Sequence, residues 1–179
     1  LDVIAAALFP DGADIVVRER AASVTHLGHS LPAGQRYPMS PWGGFALTPL
    51  AGAELDAEID RLAPDIAPEA RAVIHEQGRF ARRHGFVLGL YPEGLSLGRT
   101  WRPHGEFARD LDPDAELPLM FIIATVLDAR GKVAFGVAIY AFSRLYDGRE
   151  ITALGERVRA VAQRLSAFVA GKPAPTPYA

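Results

Sequence analysis

Apolar residues recur along the chain with two periods, which predict strands near its start and helices further on. Residues 1–9 are largely apolar and end at the turn signal Pro10-Asp11-Gly12. Residues 15–20 contain β-branched side chains and a charged end, so they predict a second strand, and residues 24–30 predict a third. The three segments together predict a small antiparallel meander.

Helical spacing dominates the middle and the end of the chain. Residues 54–62 and 68–84 predict two helices, and Gly85 is a suitable residue to end the second. Residues 149–170 predict a long amphipathic helix that Gly171 ends. Residues 172–179 contain three prolines and predict a disordered tail.

Between these helices the pattern returns to strands. Residues 86–90 predict a strand, and residues 91–116 predict a long loop interrupted by glycine and proline. Residues 117–127 and 133–142 form a predicted hairpin around the turn 128–131, and its apolar faces place it at the sheet centre. The order of the elements predicts an α+β fold, an antiparallel sheet with helices on its faces.

Residues 31–50 are rich in proline and glycine, the residues that form turns. Pro38 or Pro41 can open a helix, and the double glycine Gly43-Gly44 lets a ligand or another segment approach the backbone. The first N–H groups of a helix carry partial positive charge, so a carboxylate can bind there. The glycines can equally serve only close packing of helix on sheet.

Composition narrows the classes of function. The chain has 179 residues, which suits one domain, and a formal charge of −2, which gives no electrostatic footprint for nucleic acid. It contains no cysteine, which excludes thiolate chemistry and fits a reducing, cytoplasmic setting. No apolar run reaches membrane-spanning length. His26 and His29 would point to opposite faces of a strand, which argues against a shared metal.

An ordered set of short motifs carries a resemblance: Gly34-x-Arg36-x-Pro38-Met39, Gly43-Gly44-x-Ala46-Leu47, Arg83-x-Gly85-Phe86 and Asp128-x-x-Gly131-x-Val133, followed by the amphipathic last helix. From about residue 1 to residue 168 the chain resembles the effector-binding domain of the isocitrate-lyase-regulator (IclR) family of bacterial transcription regulators. The resemblance implies a GAF-like domain over residues 1–171 that binds a small molecule and no cofactor. It also implies an N-terminal winged helix-turn-helix preceding Leu1, which binds DNA as a homodimer or homotetramer.

The resemblance carries the family's pocket onto positions of this sequence. It places Tyr37, Trp42, Gly43, Gly44, Phe121, Ala138 and Tyr140 in the predicted ligand-binding site. On their chemistry alone, Ser40 and Arg99 are added to that site as candidate polar anchors and Trp101 as a candidate wall. Ile123 falls on the same strand as Phe121, and Arg102 and His104 are further polar candidates. Each aromatic residue could instead be simple core, and each loop arginine could be solvent-exposed.

Departures from the family pattern indicate the kind of ligand. Trp42 stands where the family usually has a small residue, and Ala138 and Tyr140 stand where it usually has serines. The acidic pair expected after Gly85-Phe86 is missing, with only Glu93 nearby, and residues 100–116 look like an insertion. A more aromatic pocket favours an apolar or aromatic carboxylic acid over a small hydrophilic one. The expected pose places the carboxylate near Gly43 and Gly44, with residues 99–104 as a lid.

Two other classes of function stay open. Glu93, His104 and Glu106 lie in one loop and could do acid–base chemistry, but no nucleophile motif, phosphate loop or metal-ligand spacing accompanies them. We therefore expect a ligand-sensing domain and not an enzyme. A dimerisation module with a vestigial pocket is the other alternative.

Overall fold

The computed structural model describes residues 4–11, 14–22, 33–38, 44–91, 106–107, 110–140 and 142–172. These residues form nine strands and four helices. The strands are β1 (Ile4–Asp11), β2 (Asp14–Ala22), β3 (Arg36–Pro38), β4 (Val87–Leu90), β5 (Glu106–Phe107), β6 (Glu116–Leu117), β7 (Leu119–Leu127), β8 (Val133–Tyr140) and β9 (Tyr146–Asp147). The helices are α1 (Gly44–Leu47), α2 (Gly52–Leu62), α3 (Pro68–His84) and α4 (Gly148–Val169).

Seven of the strands build one antiparallel sheet in the order β3-β2-β1-β8-β7-β4-β5. The hairpin β7–β8 lies in its middle, as the apolar pattern predicts. Strands β6 and β9 form a separate two-stranded sheet. The fold is α+β, so the predicted fold class is confirmed.

Helix α4 covers one face of the sheet over β7 and β8. Its buried residues pack with Phe86, Ile122 and Val126 in a core cluster on that face. Its first turn is held by a capping box, in which Asp147 Oδ1 accepts the N–H of Glu150 at 2.8 Å and Glu150 Oε2 accepts the N–H of Asp147 at 3.2 Å. The box satisfies N–H groups that no helical carbonyl can reach.

Helices α1 and α2 lie on the opposite side, and α3 contributes Ala81 to that side and Phe80 to the cluster beneath α4. Phe45 of α1 and Ala81 of α3 pack in a second core cluster with the inner residues of β1, β2, β7 and β8. Helix α2 is joined to α3 by a third cluster, which includes Leu55, Ile59 and Ile74. The sheet therefore separates two apolar cores, one on each face.

Several predicted bounds are confirmed, because their signals are local. Helix α3 spans the predicted residues 68–84, with Pro68 in its first turn and Gly85 at φ +80° after its last. Helix α4 lies within two residues of the prediction. The turn 128–131 is present, with Gly131 at φ +76°.

Other predictions need correction. The apolar run 117–127 is not one strand: Glu116–Leu117 pairs with β9, and β7 begins at Leu119. Pro118 separates the two, since it has no N–H for a ladder, and its carbonyl accepts the N–H of Tyr91 at 2.7 Å. Pro38 is the last residue of strand β3, so it does not itself stand in the first turn of a helix. The predicted loop 91–116 contains β5 and the first residue of β6.

Some predictions fall on residues outside the described ranges. These are the strand 24–30, Pro41 as a helix opener, the pair His26 and His29, and the tail beyond residue 172. Within the described ranges, no helix combines the length and the apolar character that crossing a membrane requires.

Candidate functional site

One row of paired residues runs across four strands of the sheet and contains two of the predicted site residues. Gly89 of β4 pairs with Phe121 of β7, Phe121 pairs with Tyr140 of β8, and Tyr140 pairs with Ile4 of β1. Paired residues point to the same face, so the two aromatic side chains lie side by side. The structure thus brings together Phe121 and Tyr140, two residues that the sequence predicts in one site.

The Phe121 ring can occupy its position because residue 89 is a glycine. A Cβ atom at position 89 would collide with Cε1, Cζ and Cδ1 of that ring. The ring therefore lies directly on the backbone of β4, where any side chain would displace it. Phe121 has no exposed surface and Tyr140 retains 3%.

The next row continues the same apolar wall. Val87, Ile123, Ala138 and Ala6 align on β4, β7, β8 and β1. All four belong to the core cluster that also holds Phe121 and Tyr140. Ala138 offers a methyl group here and no hydrogen-bonding side chain.

Helix α1 is fixed on this face by packing and by hydroxyl groups. The Phe45 ring lies over Gly136, where an added Cβ atom would be 2.7 Å from Phe45 Cε2. Thr125 Oγ1 donates to the Phe45 carbonyl at 3.0 Å, and Thr48 Oγ1 donates to the same carbonyl at 2.8 Å. The two hydroxyl oxygens are 3.1 Å apart. Sequence reasoning missed this threonine pair, because its partners are 77 residues apart.

The helix that starts at the second glycine of Gly43-Gly44 is short. Helix α1 begins at Gly44 and comprises four residues, a single turn. The macrodipole grows with the number of aligned peptide units, so one turn gives only a weak positive end. A carboxylate near Gly43 and Gly44 would depend on individual N–H groups and on neighbouring side chains.

The predicted site residues divide into three groups. Phe121, Ala138 and Tyr140 lie together in the buried wall described above. Gly44 begins α1, and Tyr37 lies in β3. The remaining members lie outside the described residues: Ser40, Trp42, Gly43, Arg99 and Trp101, and with them the further candidates Glu93, Arg102 and His104.

The backbone of Tyr37 does not lie beside this wall. Tyr37 pairs with Ile15, and Ile15 pairs with Pro10 of β1, whereas Tyr140 pairs with Ile4 at the other end of β1. Six positions along a strand span roughly 20 Å. Strand register, which the sequence does not reveal, therefore separates Tyr37 from Phe121 and Tyr140.

A charged cluster joins α2 to α3 next to this face. Arg71 of α3 contacts Asp60 and lies 3.3 Å from Asp56 Oδ1, and His75 Nε2 lies 2.9 Å from the same oxygen. The hydrogen bond from His75 is the main cause that lowers the pKa of Asp56, with Arg71 adding to it. The cluster keeps the Asp56 carboxylate charged and holds α2 against α3.

Described residues line a smaller and a larger cleft, each partly open to solvent. One, of about 160 Å³, lies beside Thr48, Thr125 and Val87. The other, of about 760 Å³, lies between α1, α2 and the β7–β8 turn, and we call it the α2 cleft. Neither is lined by Tyr37, Gly44, Phe121, Ala138 or Tyr140.

A central antiparallel sheet with one long helix on one face and three helices on the other defines this α+β domain, and solved transcription regulators share it. The Agobacterium tumefaciens repressor BlcR matches with a TM-score of 0.61 and 19% identity, over 94% of this chain and 60% of that chain. An IclR-family regulator from Rhodococcus sp. matches with a TM-score of 0.63 and 19% identity, over 94% and 57%. The C-terminal domain of the E. coli transcriptional regulator KdgR matches with a TM-score of 0.62 and 15% identity, over 93% and 87%.

At these identities the similarity establishes the fold. The chain has the fold of IclR-family C-terminal domains, which confirms the fold expected from the resemblance. It spans about 60% of the length of BlcR. No protein-family profile matches the sequence, and no curated protein is significantly similar to it.

Proposed function

We propose that this chain is the effector-binding domain of an IclR-type bacterial transcription regulator. The observation that carries the proposal is the fold, which the chain shares over 93–94% of its length with BlcR, the Rhodococcus regulator and the KdgR domain. The ordered motifs of the sequence support the same assignment independently of the fold. In this proposal residues 1–171 sense a small molecule and residues 172–179 form a tail.

The proposed full-length protein has a DNA-binding domain before Leu1. The chain spans 60% of BlcR but 87% of the KdgR C-terminal domain, which suits one domain of a two-domain regulator. A winged helix-turn-helix needs roughly 70–90 residues. Reading the gene upstream of Leu1 tests this: a start codon immediately before it would contradict the proposal.

The proposed effector is a small apolar or aromatic carboxylic acid. The described part of the wall offers two aromatic rings, Phe121 and Tyr140, with Ala138 and Ile123 in the adjacent row. Such a wall suits the apolar body of a ligand, while fixed polar groups supply orientation. We assign the carboxylate to the N–H groups near Gly43 and Gly44 and to Arg99, because a guanidinium can bind a carboxylate through two hydrogen bonds.

Helix α1 gives this site a means of affecting DNA binding. The hydroxyl of Thr125, on the central strand β7, donates to the Phe45 carbonyl and holds α1 in its described position on the sheet. An effector shifts a conformational equilibrium only by its difference in affinity between the two states. A ligand touching both Tyr140 and the residues before α1 would favour one position of α1, and the proposed N-terminal domain would respond to that position.

Thermal-shift measurements on the isolated domain test the ligand class. Benzoate and phenylacetate represent aromatic acids, and glyoxylate and pyruvate represent hydrophilic ones. A ligand at one hundred times its dissociation constant adds about 2.7 kcal/mol to the free energy of unfolding. We expect the wild-type domain to be stabilised by the aromatic acids and not by the hydrophilic ones.

Two substitutions of Tyr140 provide a matched pair. Tyr140→Phe keeps the ring, whereas Tyr140→Ser restores the small hydroxyl that the family usually has there. If the ring contacts the ligand, Tyr140→Ser weakens an aromatic acid by about 0.5–1.5 kcal/mol beyond the lost area. Tyr140→Phe should retain the preference for aromatic acids. Binding of hydrophilic acids alone by the wild type, or equal aromatic-acid binding by both variants, would contradict this assignment.

A further inference from the structure

The α2 cleft lies away from the wall that contains Phe121 and Tyr140. Pro10 lines it at one end of β1, whereas Tyr140 pairs with Ile4 at the other end. Its volume of about 760 Å³ falls within the range of small-molecule sites. The cleft is open to solvent on one side, so a ligand would keep part of its surface exposed.

The helical wall of the cleft is fixed from behind. Leu55 and Ile59 anchor α2 in the core with 1% exposure each, and the Asp56–Arg71–His75 contacts tie it to α3. Its exposed residue Ala57 faces the cleft. A wall held in this way does not collapse into the cavity, and a preformed site loses little free energy to ordering when a ligand binds.

The opposite wall is the turn between β7 and β8, and it is equally well held. Asp128 Oδ1 accepts the N–H groups of Arg130 at 2.8 Å and Lys132 at 2.9 Å. The Asp128 N–H donates to the Lys132 carbonyl at 2.8 Å, and Gly131 supplies the positive φ that the turn needs. The Asp128 carboxylate therefore accepts hydrogen bonds from backbone N–H groups and forms no ion pair with the two nearby cations. Within the described residues, neither Arg130 nor Lys132 has an ion-pair partner within 4.0 Å.

The charges around the cleft favour one negative group at this turn. On the α2 side, Arg61 and Glu58 neutralise each other through two contacts of 2.8 and 2.6 Å. Arg61 is the main cause that lowers the pKa of Glu58, and the charge of Lys132 adds to it weakly from across the cleft. Arg130 and Lys132 can therefore still take an anion, while Glu54 on the helical wall repels a second negative charge. A monocarboxylate fits this arrangement better than a dicarboxylate.

The apolar surface of the cleft is aliphatic. It is formed by Pro10, Ala46, Leu47, Leu50, Leu62 and Val133. No aromatic side chain lines the cleft among the described residues, so nothing there stacks on an aromatic ring. Flexible alkyl chains suit such a surface through burial alone.

We propose that the α2 cleft binds a medium-chain alkyl monocarboxylate, with its carboxylate at Arg130 and Lys132 and its chain along the aliphatic surface. This second site goes beyond the proposed effector pocket and does not depend on it. The two sites differ in chemistry, since one wall is aromatic and the other is aliphatic.

A chain-length series gives the first test. Isothermal titration of the domain with hexanoate, octanoate and decanoate, below their micellar concentrations, measures affinity against chain length. A fully buried methylene strengthens binding about fourfold, so in a half-open cleft we expect about twofold per methylene, or about fourfold per step of the series. 1-Octanol should bind octanoate's site roughly tenfold more weakly, because it lacks the charge. Failure of octanoate to bind at millimolar concentration, or equal binding of 1-octanol, would overturn the proposal.

Substitutions on the two walls locate the site. Ala57→Phe places a ring in the cleft and should abolish octanoate binding, whereas Ala53→Phe adds the same ring at an exposed position of α2 outside the lining and should leave it intact. Arg130→Gln combined with Lys132→Gln should weaken octanoate roughly tenfold. Circular dichroism confirms that each variant is folded.

Amide chemical shifts separate this proposal from the effector proposal. Octanoate should perturb Gly131 and Val133 in the ¹⁵N–¹H spectrum, and benzoate should perturb Ile123 and Ala138. If benzoate does not bind the wild-type domain, the result counts against the effector pocket but not against the proposed site in the α2 cleft. Octanoate shifts confined to Ile123 and Ala138, or unchanged octanoate affinity in Ala57→Phe, would refute the second site.

Discussion

Replacing Gly89 by alanine tests the contact between strand β4 and the Phe121 ring. Where space is free, a Gly→Ala change in a strand stabilises a protein by about 0.4–1 kcal/mol, because the unfolded chain loses freedom. At position 89 the new methyl group would overlap the buried ring. Overpacking a well-packed core costs about 1–3 kcal/mol. The net expectation is therefore a loss of about 0.5–2 kcal/mol, opposite in sign to the free-space value.

A double-mutant cycle assigns this loss to the ring. Phe121→Leu removes the aromatic atoms that the new methyl group meets, so Gly89→Ala in that background should be close to neutral or stabilising. The coupling free energy between the two positions should be about 1–2 kcal/mol, within the range for residues in contact. Urea denaturation followed by far-UV circular dichroism measures it, and an unchanged m-value shows that the denatured state is not altered.

Gly78→Ala is the control for the alanine substitution itself. Gly78 lies inside helix α3, and its nearest neighbour is the end of the Arg82 side chain, 3.2 Å from an added Cβ atom. Arg82 Nη1 donates to the Leu50 carbonyl at 3.0 Å, an exposed hydrogen bond that water can replace if the side chain shifts. The change should therefore stabilise the helix by up to about 1 kcal/mol. Stabilisation by Gly89→Ala, or the same cost in the Phe121→Leu background, would refute the packing argument.

Three further predictions use other parts of the structure. Burial, and then Arg83, lower the pKa of His84. The unfolded chain therefore binds more protons than the folded chain just below pH 6.5, and the free energy of unfolding should fall as the pH drops there. In denaturation measured from pH 7 to 5.5, His84→Phe should make the free energy of unfolding depend less on pH. Asp147→Ala should cost about 1 kcal/mol in the same assay through loss of the capping box, while Asp147→Ser should retain most of it. Light scattering should give a homodimer or larger homo-oligomer, and a constant mass of 19.3 kDa over a wide concentration range would contradict this.

The fold was most predictable where its signals are local. Pro68 and Gly85 mark the ends of α3, because each has a backbone preference that suits only that position. The hairpin turn is equally local, since Asp128 and Gly131 shape it within four residues. Pro118 shows the opposite case, because its effect on pairing is hidden inside a continuous apolar run.

The candidate site was predictable only in part, because its geometry depends on strand register. Phe121 and Tyr140 meet because they lie on the two strands of one hairpin, whose turn fixes their pairing. Tyr37 reaches the sheet through a three-residue strand, and no local signal gives the register of so short a segment. The α2 cleft depends on where α2 rests relative to the β7–β8 turn, a contact between segments about 70 residues apart.

The division of the interior into two cores has a consequence for how such a domain can change over evolution. Residues on the Phe121 face and residues on the Phe86 face form separate core clusters on the two sides of the sheet. The energetic effects of distant substitutions without shared partners usually add independently. Residues on the Phe121 face can therefore be substituted one at a time, while the packing of α4 on the other face preserves a stable scaffold.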